Sequence, residues 1–501
     1  AVTTQKGMRK ELLATILVLT IGGWQVHEAS AQTRLVVSLT IDQLCSDYID
    51  AYSPYYGSQG FKRLMREGKV YKRIQFSFDA KDRASAIAAL NTGTTPSVNG
   101  IIGNEWLDRE TGRPRNCVDD IAFMGNNTIE NTSANLLLTS TLSDELKIAT
   151  NNQALVYAIA PFRDAAVLSA GHTANGAFWI NPETGKWCST TYYKEFPWWL
   201  NDFNLKQGPD RRANDNDRVN RYRHLLTTPA INDEVNRLTE ELLAQSDIGR
   251  DDTTDFLALT YYAGTYQHQP LQKAEQELQT IYTNIDQCIG NLFDTLERKV
   301  GMNHVLFYIT STGFTDPIYN GLSAYNIPTG EFYLNRCATL LNMFLMATYG
   351  EGDYVEYYYD QQIFLNHKLI ENKGLDMAEI QQKASEFLVQ FSGVNEVYSA
   401  NRLLLASYTE RTERYRNGYH RKRSGDLVIE VLPGWHVVNE LTHEKKVVSK
   451  TVTPTPFIIL HPDFKAITIT TPIVAECIAP TIANAIHIRA PNGCSLLPLT
   501  E

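Results

Sequence analysis

No local motif for phosphate-loop, metallopeptidase or nucleophile-elbow chemistry runs through this sequence. GxxxxGK[ST], HExxH and GxSxG are all missing. No CxxC pair occurs among the seven cysteines, Cys45, Cys117, Cys188, Cys288, Cys337, Cys477 and Cys494. A cysteine-held structural zinc is therefore unsupported. The odd count leaves at least one thiol without an intrachain partner even if the chain is exported. There is no basic tract either: Lys and Arg are dispersed and the net charge is −10. That excludes the one-sided positive footprint of a nucleic-acid binder. Arg421-Lys422-Arg423 is short and reads as a solvated turn. Low-complexity tracts and internal repeats are absent. Beyond the N-terminal stretch, no segment reaches the roughly 18 apolar residues of a membrane span.

What is present is an ordinary globular composition, 43% hydrophobic and 20% charged, in a chain of 501 residues. That length buries a large core. Met8-Arg9-Lys10, an apolar stretch from Leu12 to Ile21 and Ala29-Ser30-Ala31 form a secretory pattern. Residues 1–31 are accordingly read as upstream residues and a signal peptide, and 32–501 as the exported protein, bound for periplasm, cell surface or medium.

Short apolar runs predict buried strands at Leu35–Ile41, Leu155–Ala160, Phe256–Tyr262, Val305–Thr310, Leu427–Leu432 and Phe457–Leu460. Helical patterns fall between them at Leu136–Ala149, Asp233–Gln245, Lys273–Lys299 and Met377–Phe391. The alternation predicts an α/β fold, a mostly parallel sheet with helices on both faces. Residues 176–230, with Trp179, Trp187, Trp198 and Trp199, and residues 314–425, rich in tyrosine, read as insertions capping the sheet. Their aromatic residues suit packing within a cap better than a binding surface.

In such a sheet, ligands bind beyond the carboxyl ends of the strands. Asp42 and Asp47 follow the first strand. A carboxylate there suits a zinc ion or the cap of the next helix equally well. His268 follows the strand Phe256–Tyr262, and Ser311-Thr312-Gly313 follows Val305–Thr310. A catalytic zinc wants about three protein ligands and two metals about twice that, and these exits do not assemble a metal site unaided. The Thr- and Gly-rich loop 92–103 could cradle an anion through its backbone, or be plain turn chemistry.

Several motifs carry a family resemblance. Leu39-Thr-Ile-Asp-Gln-Leu-Cys-Ser-Asp-Tyr48, Thr92-Gly-Thr-Thr-Pro-Ser-Val-Asn-Gly-Ile-Ile-Gly-Asn-Glu-Trp106 and Ala170-Gly-His-Thr-Ala-Asn175 resemble secreted bacterial alkaline phosphatases of the nucleotide pyrophosphatase/phosphodiesterase group. Tyr415 to Asp426, Pro433-Gly-Trp435 and Ile478-Ala-Pro-Thr-Ile482 continue the match nearly to the end. The resemblance implies the alkaline phosphatase superfamily fold. It also implies phosphoester hydrolysis by two zinc ions, a Thr nucleophile, and Asn, Lys and Arg contacts to the phosphoryl group.

Carried across position by position, the resemblance implies a dismantled centre. Asp42 remains as a ligand, Arg83 stands at the nucleophile position, and Ser85 is a weak substitute nucleophile. Asn104 and Arg163 remain as phosphate contacts, while the Lys position holds Pro161. Gly264, Ser311 and Thr312 replace three ligands. His268 remains, and His443 lies within a few residues of the place for a C-terminal His. Arg83, paired with Asp42, could join Asn104 and Arg163 as an anion-binding remnant, or all three could be scaffold residues satisfied locally. The expectation is an exported pseudoenzyme without a bound cofactor, serving a protein partner or a small anionic ligand. The alternative is an active phosphate- or sulfate-ester hydrolase with an unorthodox metal site.

Overall fold

Leu35–Asp42, LVVSLTID, is the strand from which the molecule is built; all eight of its residues are buried. In the computed structural model this strand, β1, runs parallel between Asp255–Tyr262 and Val305–Ser311. The structure describes residues 31–194, 196–209, 220–266, 271–315, 325–406, 409–449 and 453–500. The leader pattern of residues 8–30 and His268 lie outside these residues.

Five strands position the site: β1, β2 (Val156–Ile159), β3 (Asp255–Tyr262), β4 (Val305–Ser311) and β5 (Thr455–Leu460). They belong to an 11-stranded sheet in which β5, β4, β1, β3 and β2 lie side by side in that order. β2, β3, β1 and β4 are mutually parallel, whereas β5 runs antiparallel to β4. The expectation of a mostly parallel, two-faced α/β sheet holds for this centre.

Side chains alternate between the two faces with the period of two that a strand dictates. Leu35, Val37, Leu39 and Ile41 pack under the long helices Ala230–Gln245 and Leu271–Lys299. Val36 faces the opposite layer, built by α1 (Arg83–Thr92) and α2 (Arg163–Ala170). Burying one such aliphatic side chain contributes about 1.5–3 kcal/mol. Leu39→Ala would leave a cavity between parallel neighbours. It is expected to lower the unfolding free energy by about 2–5 kcal/mol, measured by denaturant titration.

The insertions differ from the sequence-based expectation in extent. The first, 176–230, opens with two strands, Gly176–Ile180 and Trp187–Thr190, that widen the main sheet rather than cap it. Trp179 and Trp187 are buried in that extension, Trp199 packs nearby, and Trp198 is exposed. The second continues past residue 425 to Val447. It carries a four-stranded sheet (Val355–Tyr359, Gln362–Leu365, Leu427–Val431, Val394–Ser399) and a three-stranded one (Glu331–Tyr333, His436–Asn439, Glu444–Val447) over its own hydrophobic core. Leu427–Val431, expected in the parallel sheet, is thus an antiparallel strand of this insertion. Its apolar run fits either sheet, and only pairing decides between them. Residues 33–501 form one compact unit. Among the described residues no helix is long and apolar enough to cross a membrane.

Candidate active site and its family

At the carboxyl edge of the sheet, Asp42 ends β1 and is 1% exposed. Its carboxylate accepts a 2.8 Å hydrogen bond from the Thr312 hydroxyl. The next residue, Gln43, turns the chain sharply with φ +65°, and its amide donates to the same Thr312 oxygen at 3.0 Å. Ser311 donates to the carbonyl of Leu44 at 2.8 Å. The two hydroxyls therefore tie the exit of β1 to the end of β4.

The helix α1 begins beside this edge because Asp82, in extended conformation, caps it. The Asp82 carboxylate accepts from the Ser85 amide (3.1 Å), the Ser85 hydroxyl (3.1 Å) and the Asn104 amide (2.8 Å). Ala84 to Thr92 are all buried, and Gly93, left-handed at φ +64°, ends the helix. A Cβ on Gly93 would meet the Cys494 sulfur at 2.9 Å, so only glycine fits there.

Arg83 is the first residue of α1, where the helix dipole disfavours a cation. It is held there by α2. Its Nε and Nη2 fork onto the two oxygens of Asp164 at 2.8 and 3.0 Å. Its Nη1 lies 3.7 Å from Asp42 Oδ2, and its guanidinium carbon sits 3.7 Å from the centroid of Phe162. Burial works against the charge, but Asp164 and Asp42 outweigh it and hold the group firmly protonated. Burial pushes the Asp82 carboxyl up.

The other candidates lie as follows. Ser85 is 3% exposed, with its hydroxyl on Asp82. Asn104 is half-buried, and its side-chain oxygen accepts the Ala84 amide at 3.2 Å. Arg163 turns to the loop 119–132, donating to Asp119 (2.9 Å) and Thr132 (3.1 Å), with Glu130 at 3.6 Å. Arg83, Asn104 and Arg163 thus each make side-chain hydrogen bonds to protein. His443 does not reach this edge: it lies exposed, at φ +58°, in the turn between His436–Asn439 and Glu444–Val447. The segment that arrives there ahead of β5 is Thr453-Pro454. The Pro454 carbonyl accepts the Ser46 amide, and Thr453 faces Thr315.

Gly264 is walled in. A Cβ built on it would fall 2.3 Å from the Tyr262 hydroxyl and 3.0 Å from the Gln43 amide nitrogen. Protein atoms fill the space that a ligand side chain would need. Among the described residues, no group of three or more His, Cys, Asp or Glu is arranged to hold a metal ion. Among the described residues the donors do not fit a two-zinc centre: the Asp42 carboxylate is bound to a hydroxyl and approached by a guanidinium, and Ser311, Thr312 and Gly264 offer no carboxylate or imidazole.

Sequence reasoning missed Asp164, Phe162 and Asp82. The pattern Asp82-Arg-Ala-Ser85 is a helix-cap signal, and Asp164 lies just beyond the predicted strand Leu155–Ala160. Cys117 also sits near this cluster, its thiol pushed well up by burial, which makes it inert.

His172, from the motif Ala170–Asn175, is structural. Its Nδ1 lies 2.6 Å from Asp144, and its Nε2 lies 2.8 Å from the Leu137 carbonyl. Burial opposes the imidazolium, but Asp144 and the carbonyl raise its pKa. Asp144, although buried, is held below the usual carboxylate range by His172 and backbone amides. Stability from His172 is full below pH ~6.5 and is lost as pH rises through its folded pKa. Stability from Asp144 is present above pH ~3.9 and is lost as pH falls through its folded value. His172→Gln is expected to cost about 1–3 kcal/mol at pH 6, and less at pH 9, by urea unfolding.

Comparison with known proteins agrees with the fold. The chain is 26% identical to alkaline phosphatase PafA of Elizabethkingia meningoseptica over 98% of both chains. It is 26% identical to alkaline phosphatase PhoV of Synechococcus elongatus over 92% of both. The crystal structure of PafA superposes with a TM-score of 0.81 at 25% identity, over 94% of this chain and 99% of that one. A solved PafA variant has a Thr, an Asn, a Lys and an Arg substituted. Its Thr and Asn are spaced as Arg83 and Asn104 are here, and its Lys and Arg as Pro161 and Arg163. Murine ectonucleotide pyrophosphatase/phosphodiesterase 5 shares the fold, with a TM-score of 0.55 at 12% identity over 93% of this chain and 97% of that one. The model of the type I phosphodiesterase / nucleotide pyrophosphatase family matches residues 36–454, and the chain belongs to that family.

Proposed function

We propose that this chain is a catalytically degenerate member of its family, exported and retained for binding or scaffolding. The observation that carries the reading is Arg83. A protonated guanidinium, forked onto Asp164, stands at the nucleophile position and cannot attack phosphorus. The lost ligand positions support the same reading, because metal ions activate the nucleophile and neutralise the transferring oxygens in two-metal phosphoryl transfer. Loss of a nucleophile together with its partners costs many orders of magnitude in rate. Purified protein assayed with p-nitrophenyl phosphate and bis(p-nitrophenyl) phosphate, with and without zinc, should show no turnover above buffer. Arg83→Thr alone should gain none. Chelator-sensitive turnover by the unmodified chain would overturn the reading.

A second reading has its own support. Likeness to two alkaline phosphatases over more than nine-tenths of each chain argues for a phosphoric ester hydrolase. An active enzyme with an unorthodox or single-metal centre for phosphate or sulfate esters would meet it, and the same assay separates the two. A small anion is the weaker ligand class, because phosphate would have to displace Asp164 from Arg83 or Asp119 from Arg163.

A further inference from the structure

Two carboxylates, Asp42 and Asp164, converge on one guanidinium at the carboxyl edge of the sheet, and the capping Asp82 adds its charge nearby. Asp42 comes from β1, Asp164 from the first turn of α2, and Asp82 caps α1. The side chains of Asp42 and Asp164 are 1% and 7% exposed, and that of Arg83 is 20% exposed. We propose that Arg83 is the resident cation of this centre. It neutralises Asp42 and Asp164 as a bound metal ion otherwise would, and so fixes β1, α1 and α2 together without one.

The geometry supports substitution rather than coexistence. A zinc–carboxylate bond is about 2.0–2.2 Å long, and the guanidinium already bonds both Asp164 oxygens while Nη1 stands 3.7 Å from Asp42. A divalent ion bridging the two carboxylates would have to displace Arg83 and meet its positive charge. Phe162 covers one face of the guanidinium, which pins it by stacking. The Thr312 hydroxyl satisfies Asp42 from the other side. Asp42 belongs to β1, Phe162 and Asp164 to the start of α2, and Arg83 itself to α1, so the side chain acts as a cross-link among the three.

The inference shares with the functional reading the donor set at this edge. Its test reads stability instead of turnover, so the two fail separately. The melting temperature of the full chain is expected to be the same in EDTA and in excess zinc. Arg83→Ala strands two buried carboxylates and is expected to lower the melting temperature by roughly 5–10 °C. Magnesium or zinc should recover part of that loss in R83A while leaving the unmodified chain unchanged. A chain whose melting temperature falls in EDTA, an R83A protein as stable as the parent, or a loss that no divalent ion recovers would each overturn the proposal. Should R83A not fold, Asp164→Asn weakens the fork while removing one charge. It is expected to lower the melting temperature by a smaller amount, and an unchanged value would overturn the proposal equally.

Discussion

Gly264→Asp, which places an acidic side chain where the family resemblance implies a metal ligand, is expected to destabilise the chain and to bind no zinc. The new Cβ would fall 2.3 Å from the Tyr262 hydroxyl, and Tyr262 cannot retreat easily. It is 6% exposed, and its ring packs edge-on against Phe162 at 5.9 Å. Overpacking of this kind costs about 1–3 kcal/mol. The carboxylate would then lie buried beside Asp42, and an unpaired buried charge is costlier still. A total loss of about 3 kcal/mol or more is expected, read as a lower denaturation midpoint. A G264D protein of unchanged stability that bound one equivalent of zinc would show the pocket to be vacant rather than rebuilt. Tyr262 and the Gln43 side-chain amide already fill the space beside Gly264.

The scaffold was legible in the sequence where burial dominates. β1, β3 and β4 are near-continuous apolar runs, and their predicted limits agree with the structure to within a residue. A strand buried on both faces needs such a run, so pattern and structure coincide. Partner choice was not legible. Thr455–Leu460 and Leu427–Val431 have the same composition as the parallel strands, yet one is antiparallel to β4 and the other belongs to the insertion. Small residues hid α1. RASAIAALNT carries little amphipathic contrast because Ala84 to Thr92 are all buried, and period-based reading depends on a polar face.

At the site, position-by-position comparison located Arg83 and its approach to Asp42. It did not find the stronger partner. Asp164 is 81 residues from Arg83 and is brought to it by two helices starting at the same sheet edge. No spacing rule reaches that far. His443, which lies within a few residues of the place for a C-terminal His, shows what counting along the chain leaves out. Counting along the chain ignores the hairpin, which carries residues 440–443 out to solvent before the chain returns at Thr453.

Acidification should unfold this protein partly through His420, in the motif Tyr415–Asp426. The imidazole is 8% exposed, its Nδ1 accepts the Lys422 amide, and its own backbone amide donates to Ser424. Burial first, then Arg423, Arg421 and Lys422, lower its pKa to about 4. Arg423 is itself fixed in place, donating to the carbonyls of Gly100 and Leu136 with its guanidinium carbon 4.8 Å from the Trp106 ring centroid. The folded state therefore prefers neutral His420, whereas the unfolded chain takes up a proton near pH 6.5. Stability from this group is full above pH ~6.5 and is lost as pH falls toward 4. The shift alone corresponds to roughly 3 kcal/mol. Arg421 and Lys422 are exposed and screened by salt, which leaves about 2 kcal/mol. His420→Asn, whose side-chain oxygen can accept the same Lys422 amide, should flatten that part of the acid limb. Urea unfolding of both proteins at pH 7 and pH 4.5 measures it, and parallel losses in the two would assign the acid sensitivity elsewhere. A flattened limb in H420N would assign that share of the acid sensitivity to a buried neutral histidine beside three cations.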